Sequence, residues 1–248
     1  MSDWPEGYAL RHFDEIDSTN EEARRLAAGG GKGPLWITAD KQTAGRGRRG
    51  RVWQSPPGNL AATLLIDPAR PAAECAQLSF VAALAASDMI ASAAPRADIR
   101  VKWPNDVLAE GRKIAGILLE SASTGAAPPQ WLAIGIGINL QHFPPDTEFP
   151  AISLVAIGAG PPSPRDALAA LASAFAKWYE LWRVRGFVPI REAWLARAAG
   201  LGARIVARLS NGEATGVFEG LDETGALILR ETHGRTRTIA AGEIFFAS

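Results

Sequence analysis

Between Gln42 and Arg51 the chain reads QTAGRGRRGR, and no other stretch limits the possible folds so sharply. It holds four arginines (Arg46, Arg48, Arg49, Arg51) and three glycines (Gly45, Gly47, Gly50), with Lys41 just before it. With no acidic residue and no large apolar one, it has nothing to bury and nothing of its own to neutralise its repulsion. The expectation is a mobile surface loop that orders when an anion arrives. Glycine lets backbone N–H groups approach a ligand closely, and arginine forks match phosphate or carboxylate oxygens two at a time. The loop is therefore a candidate phosphate clamp, standing against two simpler readings, a nucleic-acid patch and a solvated loop. The string GRGRRG also fits the dinucleotide-binding G-x-G-x-x-G. That fingerprint must open a helix, however, and Val52-Trp53-Gln54-Ser55-Pro56-Pro57-Gly58 cannot.

Composition narrows the choice. A chain of 248 residues with 47% hydrophobic content is globular and long enough for one large core or two domains. Its 26 basic and 26 acidic residues cancel, which argues against a general nucleic-acid or membrane-surface binder and makes the basic loop a local feature for a local ligand. Cys75 is the only cysteine and the histidines number three, so a disulfide framework and a His/Cys metal centre are both disfavoured. The start, MSDWPEGYALRHFDEID, has no secretory pattern, and no segment is read as long enough to span a membrane. A cytoplasmic protein is expected.

In chain order, Leu10–Ile16 is a candidate strand. Ser18-Thr19-Asn20-Glu21-Glu22 then opens a helix that Gly29–Gly31 ends. Ser18 with Glu21, or Thr19 with Glu22, fits a capping box; a helix start can equally hold a small polar or anionic ligand. Leu35–Asp40 and Leu60–Ile66 read as strands, the second apolar enough to be buried on both faces. From Ala76, residues Leu78, Val81, Ala82, Ala85 and Met89 share one helical face, and Pro95 marks the end. Ile99–Trp103 is a strand leading to Pro104-Asn105-Asp106. Val107–Glu120 is a hairpin with Lys113 at the start of its second arm. In Trp131–Leu140, Gly135 and Gly137 clear one face of a strand and Asn139 follows on that face. A proline-rich stretch, 143–164, precedes a helix that starts at Ser163-Pro164. That helix carries Leu168, Leu171, Ala172, Phe175, Trp178, Tyr179 and Trp182 as a core stripe and stops at Gly186. Beyond Gly200, short strands and turns (Arg204–Leu209, Glu213–Leu221, Ala226–Arg230, Thr236–Phe246) suggest a second, small barrel domain of about five strands.

Taken together, Ser18-Thr19-Asn20, the Gln42–Arg51 loop with Trp53, Lys102-Trp103-Pro104-Asn105-Asp106, Gly111-Arg112-Lys113 with Gly116-Ile117-Leu118, and Gly135-Ile136-Gly137-Ile138-Asn139 resemble, in order and spacing, the motifs of biotin protein ligases. Each motif is weak alone, and the five in sequence are specific. The resemblance implies an α+β fold, with a class II synthetase-like catalytic domain over 1–200 and an SH3-like domain over 201–248. The catalytic sheet would be mixed and mostly antiparallel, with flanking helices. It implies an enzyme that joins biotin to ATP as biotinoyl-5′-AMP and passes the biotinoyl group to a lysine of a biotin carboxyl carrier protein, with Mg²⁺ expected. Lys113, Arg46, Arg48 and Asp106 would be catalytic. Ser18, Thr19, Asn20 and Gln42 would read the ureido end of biotin, with Gly45, Gly47, Gly116, Leu118, Gly135 and Gly137 around its rings and chain. Arg48, Arg49, Arg51, Trp53, Asn105, Lys113 and Asn139 would meet the nucleotide. Asp106 would act on the incoming lysine or position Asn105.

The resemblance also carries departures. The Ser-Thr-Asn motif begins at Ser18, leaving no room for the N-terminal winged-helix domain of many bacterial relatives, so neither repressor activity nor DNA binding is expected. No tryptophan lies in the 143–154 stretch where some relatives cover adenine; Phe143 and Phe149 are the candidates to replace it. Pairing through the sheet leaves room for a homodimer. The competing functions are a lipoate–protein ligase, which shares the chemistry, and a non-catalytic biotin sensor.

Overall fold

The computed structural model of the chain describes residues 4–122, 128–232 and 234–246. Its main sheet is built around β3 (Leu60–Ile66), which is buried along its whole length, as an uninterrupted apolar strand requires. On one side lie β2 (Leu35–Gln42) and β1 (Ala9–Ile16), and on the other β7 (Leu132–Ile138), β6 (Arg112–Ser121), β5 (Asp106–Ala109) and β4 (Ile99–Lys102). β1 and β2 pair in parallel and every other neighbouring pair is antiparallel. The sheet is therefore mixed and mostly antiparallel.

One face of this sheet carries α1 (Thr19–Ala28), packed on β2, β3 and β7. The other carries α3 (Leu78–Ala93), reached through the short α2 (Ala72–Cys75), with α4 (Pro164–Arg185) and α5 (Phe187–Leu195) packed outside it. The sequence pattern suggests a single apolar face on α3. The structure buries it almost all round, because the sheet covers one side and α4 and α5 the other. The same immersion corrects the membrane reading: Ala72–Ala93 is long and apolar enough to cross a bilayer, yet 72% of its apolar window is packed inside this fold. α4 starts as its sequence predicts, with the Ser163 hydroxyl accepting from the Asp166 N–H at 3.1 Å and Pro164 in the first turn.

The C-terminal residues form a second, five-stranded antiparallel sheet of β8 (Arg204–Leu209), β9 (Gly212–Leu221), β10 (Leu227–Glu231), β11 (Thr236–Ile239) and β12 (Glu243–Phe246), consistent with an SH3-like domain. The sequence suggests one final strand over Thr236–Phe246. The structure breaks it into β11 and β12, which sit at opposite ends of the sheet order. The two sheets share one core. The Trp103 indole N–H donates to the Gly225 carbonyl at 3.1 Å, and Phe80 meets Phe187 and Trp194 edge-on at 5.2 and 5.5 Å. Gly225 sits at φ +91°, and a Cβ there would stand 2.6 Å from the Phe80 ring, so both backbone shape and space require glycine. This packing brings β12 to the mouth of the main cavity.

Candidate functional site

Strand register builds the floor. Gly135 of β7 lies between Thr63 of β3 and Leu118 of β6, and Gly137 lies between Ala61 and Gly116. These positions share the sheet face that carries α1. The cleared room is used by neighbours: a Cβ on Gly135 would come within 2.2 Å of Asn20 Oδ1, and one on Gly137 within 2.3 Å of the Trp53 indole. Gly116 lies under the same indole, where a Cβ would stand 3.1 Å from the ring. The face that the glycines clear is thus taken up in part by these two side chains. The glycines let Asn20 and Trp53 lie flat on the sheet and so bring both to the ligand side.

At one end of the floor is a polar cluster. Ser18, Thr19 and Asn20 are all buried, and no side chain caps the helix they begin. The capping-box reading is therefore corrected: Glu21 and Glu22 turn to Arg24 and Arg25, and the Ser18 hydroxyl is not drawn into its own helix. The Gln42 Oε1 instead accepts from Thr19 twice, from the backbone N–H at 2.9 Å and the hydroxyl at 3.1 Å. Gln42 Nε2 donates to the Ser55 hydroxyl at 2.9 Å, which fixes the orientation of that amide. Asn20 Nδ2 donates to Glu120 Oε2 at 2.7 Å, and the Thr63 hydroxyl contacts both Asn20 Oδ1 (2.6 Å) and Thr19 Oγ1 (2.8 Å).

The arginine loop closes over the opposite end. It does find counter-charges, but they come from elsewhere in the chain. Arg46 lies 3.7 Å from Glu21, while Arg51 forks onto Glu243 of β12 at 2.8 and 2.9 Å and reaches Glu148 at 3.0 Å. Glu148 is shared with Arg208. Arg48 differs from both. It points inward, donating to Asn105 Oδ1 at 3.2 Å and to the Gly242 carbonyl at 3.4 Å, and burial pushes its guanidinium below the usual arginine range. A half-buried cation whose hydrogen-bond partners are neutral is the one most ready to receive an anion.

Beside it lies a second charged group. Lys113 Nζ stands 2.6 Å from Asp106 Oδ1, approaching off the hydrogen-bonding direction so that the contact is an ion pair rather than a well-aligned hydrogen bond. Lys102 Nζ lies 3.7 Å from the other oxygen, Oδ2. Lys102 is only 4% exposed, covered by the Phe149 ring at 4.1 Å and the Phe245 ring at 5.6 Å. Burial pushes its ammonium below the usual lysine range, with Asp106 opposing. Backbone pairing holds Lys113 in place: its N–H donates to the Pro150 carbonyl at 2.8 Å and its own carbonyl accepts from Ile152 at 2.9 Å. Asn105 is held by Arg48 and the Ile117 carbonyl, and Asn139 donates to the Ile152 carbonyl at 3.0 Å.

These groups line one cavity of about 420 Å³, a size suited to a small organic ligand. Of the site residues read from sequence, it brings together Ser18, Thr19, Asn20, Gln42, Arg46, Gly47, Arg48, Arg51, Trp53, Asn105, Asp106, Lys113, Gly116, Leu118, Gly135, Gly137 and Asn139. Gly45 and Arg49 stay outside the lining. Gly45 is glycine for a backbone reason, since a Cβ there would meet the Trp53 carbonyl at 2.4 Å, and Arg49 is exposed at φ +56°. Of the two aromatic candidates, Phe149 lines the cavity and Phe143 does not. Sequence reasoning missed Lys102, Glu148, Glu243 and Phe245 on the wall, and Thr63 and Glu120 behind it. Two of these carried a local signal: Lys102 opens the Lys102-Trp103-Pro104-Asn105-Asp106 motif, though without a role of its own, and Thr63 is the single hydroxyl in the apolar run LAATLLI.

Comparison with known proteins agrees with this geometry. The Biotin/lipoate A/B protein ligase family matches residues 13–139, and the Biotin protein ligase C terminal domain matches residues 200–247. A biotin–[acetyl-CoA-carboxylase] ligase of Paracoccus denitrificans is 49% identical over 242 residues, covering 93% of this chain and 97% of that protein. Among solved structures, the biotin protein ligase from Aquifex aeolicus in complex with biotin and ATP aligns with a TM-score of 0.82 at 27% identity, covering 96% of this chain and 98% of that one. The enzyme from Leishmania major in complex with biotinyl-5-AMP aligns at 0.63 and 26% identity, covering 94% and 99%. With its five motifs gathered on one cavity and relatives matched along nearly its full length, this chain belongs to the biotin protein ligases of the biotin/lipoate A/B protein ligase family.

Proposed function

We propose that this protein activates biotin with ATP to biotinoyl-5′-AMP and transfers the biotinoyl group to a lysine of a biotin carboxyl carrier protein. The observation that carries the reading is a single cavity with a polar, buried end at Thr19 and Gln42 and a cationic end at Arg48 and Lys113. A biotin laid between the two ends of the cavity has its ureido group at the first and its carboxylate at the second. Related proteins bind biotin with ATP and biotinyl-5-AMP, which supports both the substrates and the intermediate.

In the first step a carboxylate oxygen attacks the α-phosphorus and pyrophosphate leaves. Anion meets anion, so the main catalytic need is fixed positive charge in a site from which water is excluded. Lys113 turns from Asp106 to the carboxylate and α-phosphate, and Arg48 with Arg46 holds the oxygens on the other side. Arg51 and Arg49 stand nearer the leaving phosphates, and Trp53, Asn105 and Asn139 contact the nucleotide. In the second step the acceptor amine attacks the acyl carbon, AMP leaves, and the amine loses a proton. Asp106, relieved of Lys113, is the carboxylate placed to polarise that amine.

Mg²⁺ enters as part of the nucleotide substrate. Of the cavity carboxylates, Asp106, Glu148 and Glu243 are engaged by lysine or arginine and the exposed Asp146 stands outside the ion pairs of the described residues, so a hard cation would be held chiefly by phosphate oxygens and water. Residues 1–200 supply the catalytic domain and 201–248 the SH3-like one, whose Glu243 and Phe245 complete the cavity wall. An ATP-consuming reaction suits the cytoplasm, and the neutral net charge speaks against DNA as a partner.

Lipoate is the other candidate cargo, and the polar end disfavours it. A dithiolane offers no N–H or C=O, so it would displace water from this polar end and return no hydrogen bond to it. The test is incubation with ATP, Mg²⁺ and a carrier domain, with biotin or lipoate in parallel, followed by intact mass of the carrier. A biotinoyl adduct is expected. A lipoyl adduct, or none with either acid, overturns the reading.

A further inference from the structure

Thr63 is 0% exposed and lies behind the cavity rather than in its lining, yet it touches two members of the polar end. Its surroundings are otherwise apolar: Ala23, Ile37, Leu65 and Ala133 form the small core beneath α1. A buried hydroxyl in such a place has to be hydrogen-bonded, and here its single proton has only one sensible destination.

Asn20 settles the direction. Its Nδ2 donates to Glu120 Oε2 at 2.7 Å, so the other terminal atom is Oδ1, a pure acceptor. Thr63 therefore gives its proton to Asn20 Oδ1, at 2.6 Å. That leaves the Thr63 oxygen an acceptor at 2.8 Å from Thr19 Oγ1. Thr19 has two places for its own proton, Thr63 at 2.8 Å and Gln42 Oε1 at 3.1 Å. Both lie within the protein, and Gln42 Oε1 also takes the Thr19 backbone N–H at 2.9 Å. With its proton taken by either, Thr19 Oγ1 has a lone pair left to accept from the cavity it lines.

We propose that Thr63 is a positioning residue that fixes the polarity of the Thr19–Asn20 pair, so that this end of the cavity selects a head group donating N–H, the chemistry of a cyclic urea. Thr63 never touches the ligand. It acts by giving Asn20 Oδ1 a committed donor and by offering Thr19 a closer acceptor (2.8 Å) than Gln42 Oε1 (3.1 Å), which already takes the Thr19 N–H, and so holds the Thr19 proton back from the cavity. A head group without an N–H at that point would leave a buried oxygen unpaired. The inference deepens the biotin reading and rests on it.

The experiment compares wild type, Thr63→Val and Thr63→Ser, measuring biotin binding by calorimetry and the steady-state KM for biotin and for ATP with kcat. Valine keeps the shape and removes the proton; serine restores it. Thr63→Val is expected to weaken biotin binding and raise its KM by roughly ten- to a hundredfold, with kcat at saturating biotin and the KM for ATP within about twofold of wild type. Thr63→Ser is expected to bind biotin nearly as wild type does. A Thr63→Val protein with wild-type biotin affinity overturns the inference while leaving the functional reading intact. So does a Thr63→Ser protein as impaired as the valine variant, or a loss that falls equally on biotin, ATP and kcat, since each reports packing rather than polarity. Wild type that does not bind biotin at all overturns the functional reading, and this inference with it.

Discussion

Arg51 and Glu243, 192 residues apart, meet through two parallel N–H···O bonds of 2.8 and 2.9 Å. The contact ties the arginine loop to the last strand of the chain, and Glu148 reinforces it from the proline-rich segment. An isolated loop of this composition would open through its own repulsion; here a carboxylate from the second sheet holds it over the cavity. The Arg51 side chain is half exposed, so the pair stabilises closure by no more than about 1 kcal/mol, a population shift of roughly fivefold. Glu243→Gln is accordingly expected to raise the rate of protease nicking between Arg46 and Arg51 several-fold, and biotin with ATP is expected to restore protection. Equal nicking of wild type and variant, or no protection by ligand, would show that the loop is not a closing clamp.

Lys113 carries the largest expected effect on chemistry. Removing a fixed charge from a preorganised anionic site costs about 2.7–4 kcal/mol in the transition state, roughly a hundred- to a thousandfold in rate. Lys113→Ala should lose adenylate formation on that scale, measured as pyrophosphate release. Its melting temperature should change little, because Lys102 still faces Asp106 at 3.7 Å and the carboxylate is not stranded. A variant with wild-type pyrophosphate release would make Lys113 an ordinary partner of Asp106 and nothing more.

Much of this site was legible in the sequence because its parts are local. The Ser18-Thr19-Asn20 triplet, the arginine loop and the paired glycines each carry their meaning within a few residues. β3 likewise has the span its apolar run predicts, since seven residues without a charge fit only a doubly covered strand. What escaped notice depends on register and on contacts across the chain. Nothing near Glu243 announces that it will meet Arg51, and Thr63 becomes polar machinery only because β3 sets it opposite Gly135 and beneath α1. The capping box failed for a related reason. Ser18 and Thr19 have the composition of a cap, but tertiary partners at Gln42 and Thr63 compete with the helix end, and Glu21 and Glu22 have arginines one turn away.

Lys102 gives the fold a pH dependence whose sign follows from its burial. Desolvation holds its ammonium below the usual lysine range, with Asp106 and Glu243 opposing the shift and Lys113 reinforcing it. Well below the folded value both states carry the proton, and the cost of burying the charge is fully present. Between the folded value and the ordinary value near ~10.4, the unfolded chain holds more protons, so this group's contribution to stability rises with pH. Replacing it by Met removes the effect. Urea midpoints of wild type and Lys102→Met, measured near about pH 7 and about pH 10, should therefore differ most at the lower pH, with the advantage of Met shrinking as pH rises. A difference that is constant with pH would mean that Lys102 bears no desolvation cost.

Arg48 separates the two halves of the reaction. It is the loop arginine that turns inward onto neutral partners, Asn105 Oδ1 and the Gly242 carbonyl, while Arg46 and Arg51 face carboxylates. Its charge is thus available to the adenylate, where a fork can hold phosphate and acyl oxygens together. If retention is its main task, Arg48→Gly keeps part of the activation chemistry, because Lys113 remains, but loses both the bidentate contacts and a side chain that anchors the loop to Asn105. Biotinoyl-AMP then escapes, and a mixed anhydride in solvent acylates any accessible lysine. The variant is expected to release adenylate at a measurable rate and to label bystander proteins in a mixture where wild type labels the carrier alone. Absence of any adenylate would move Arg48 to the first step, and labelling confined to the carrier would mean that the loop does not retain the intermediate.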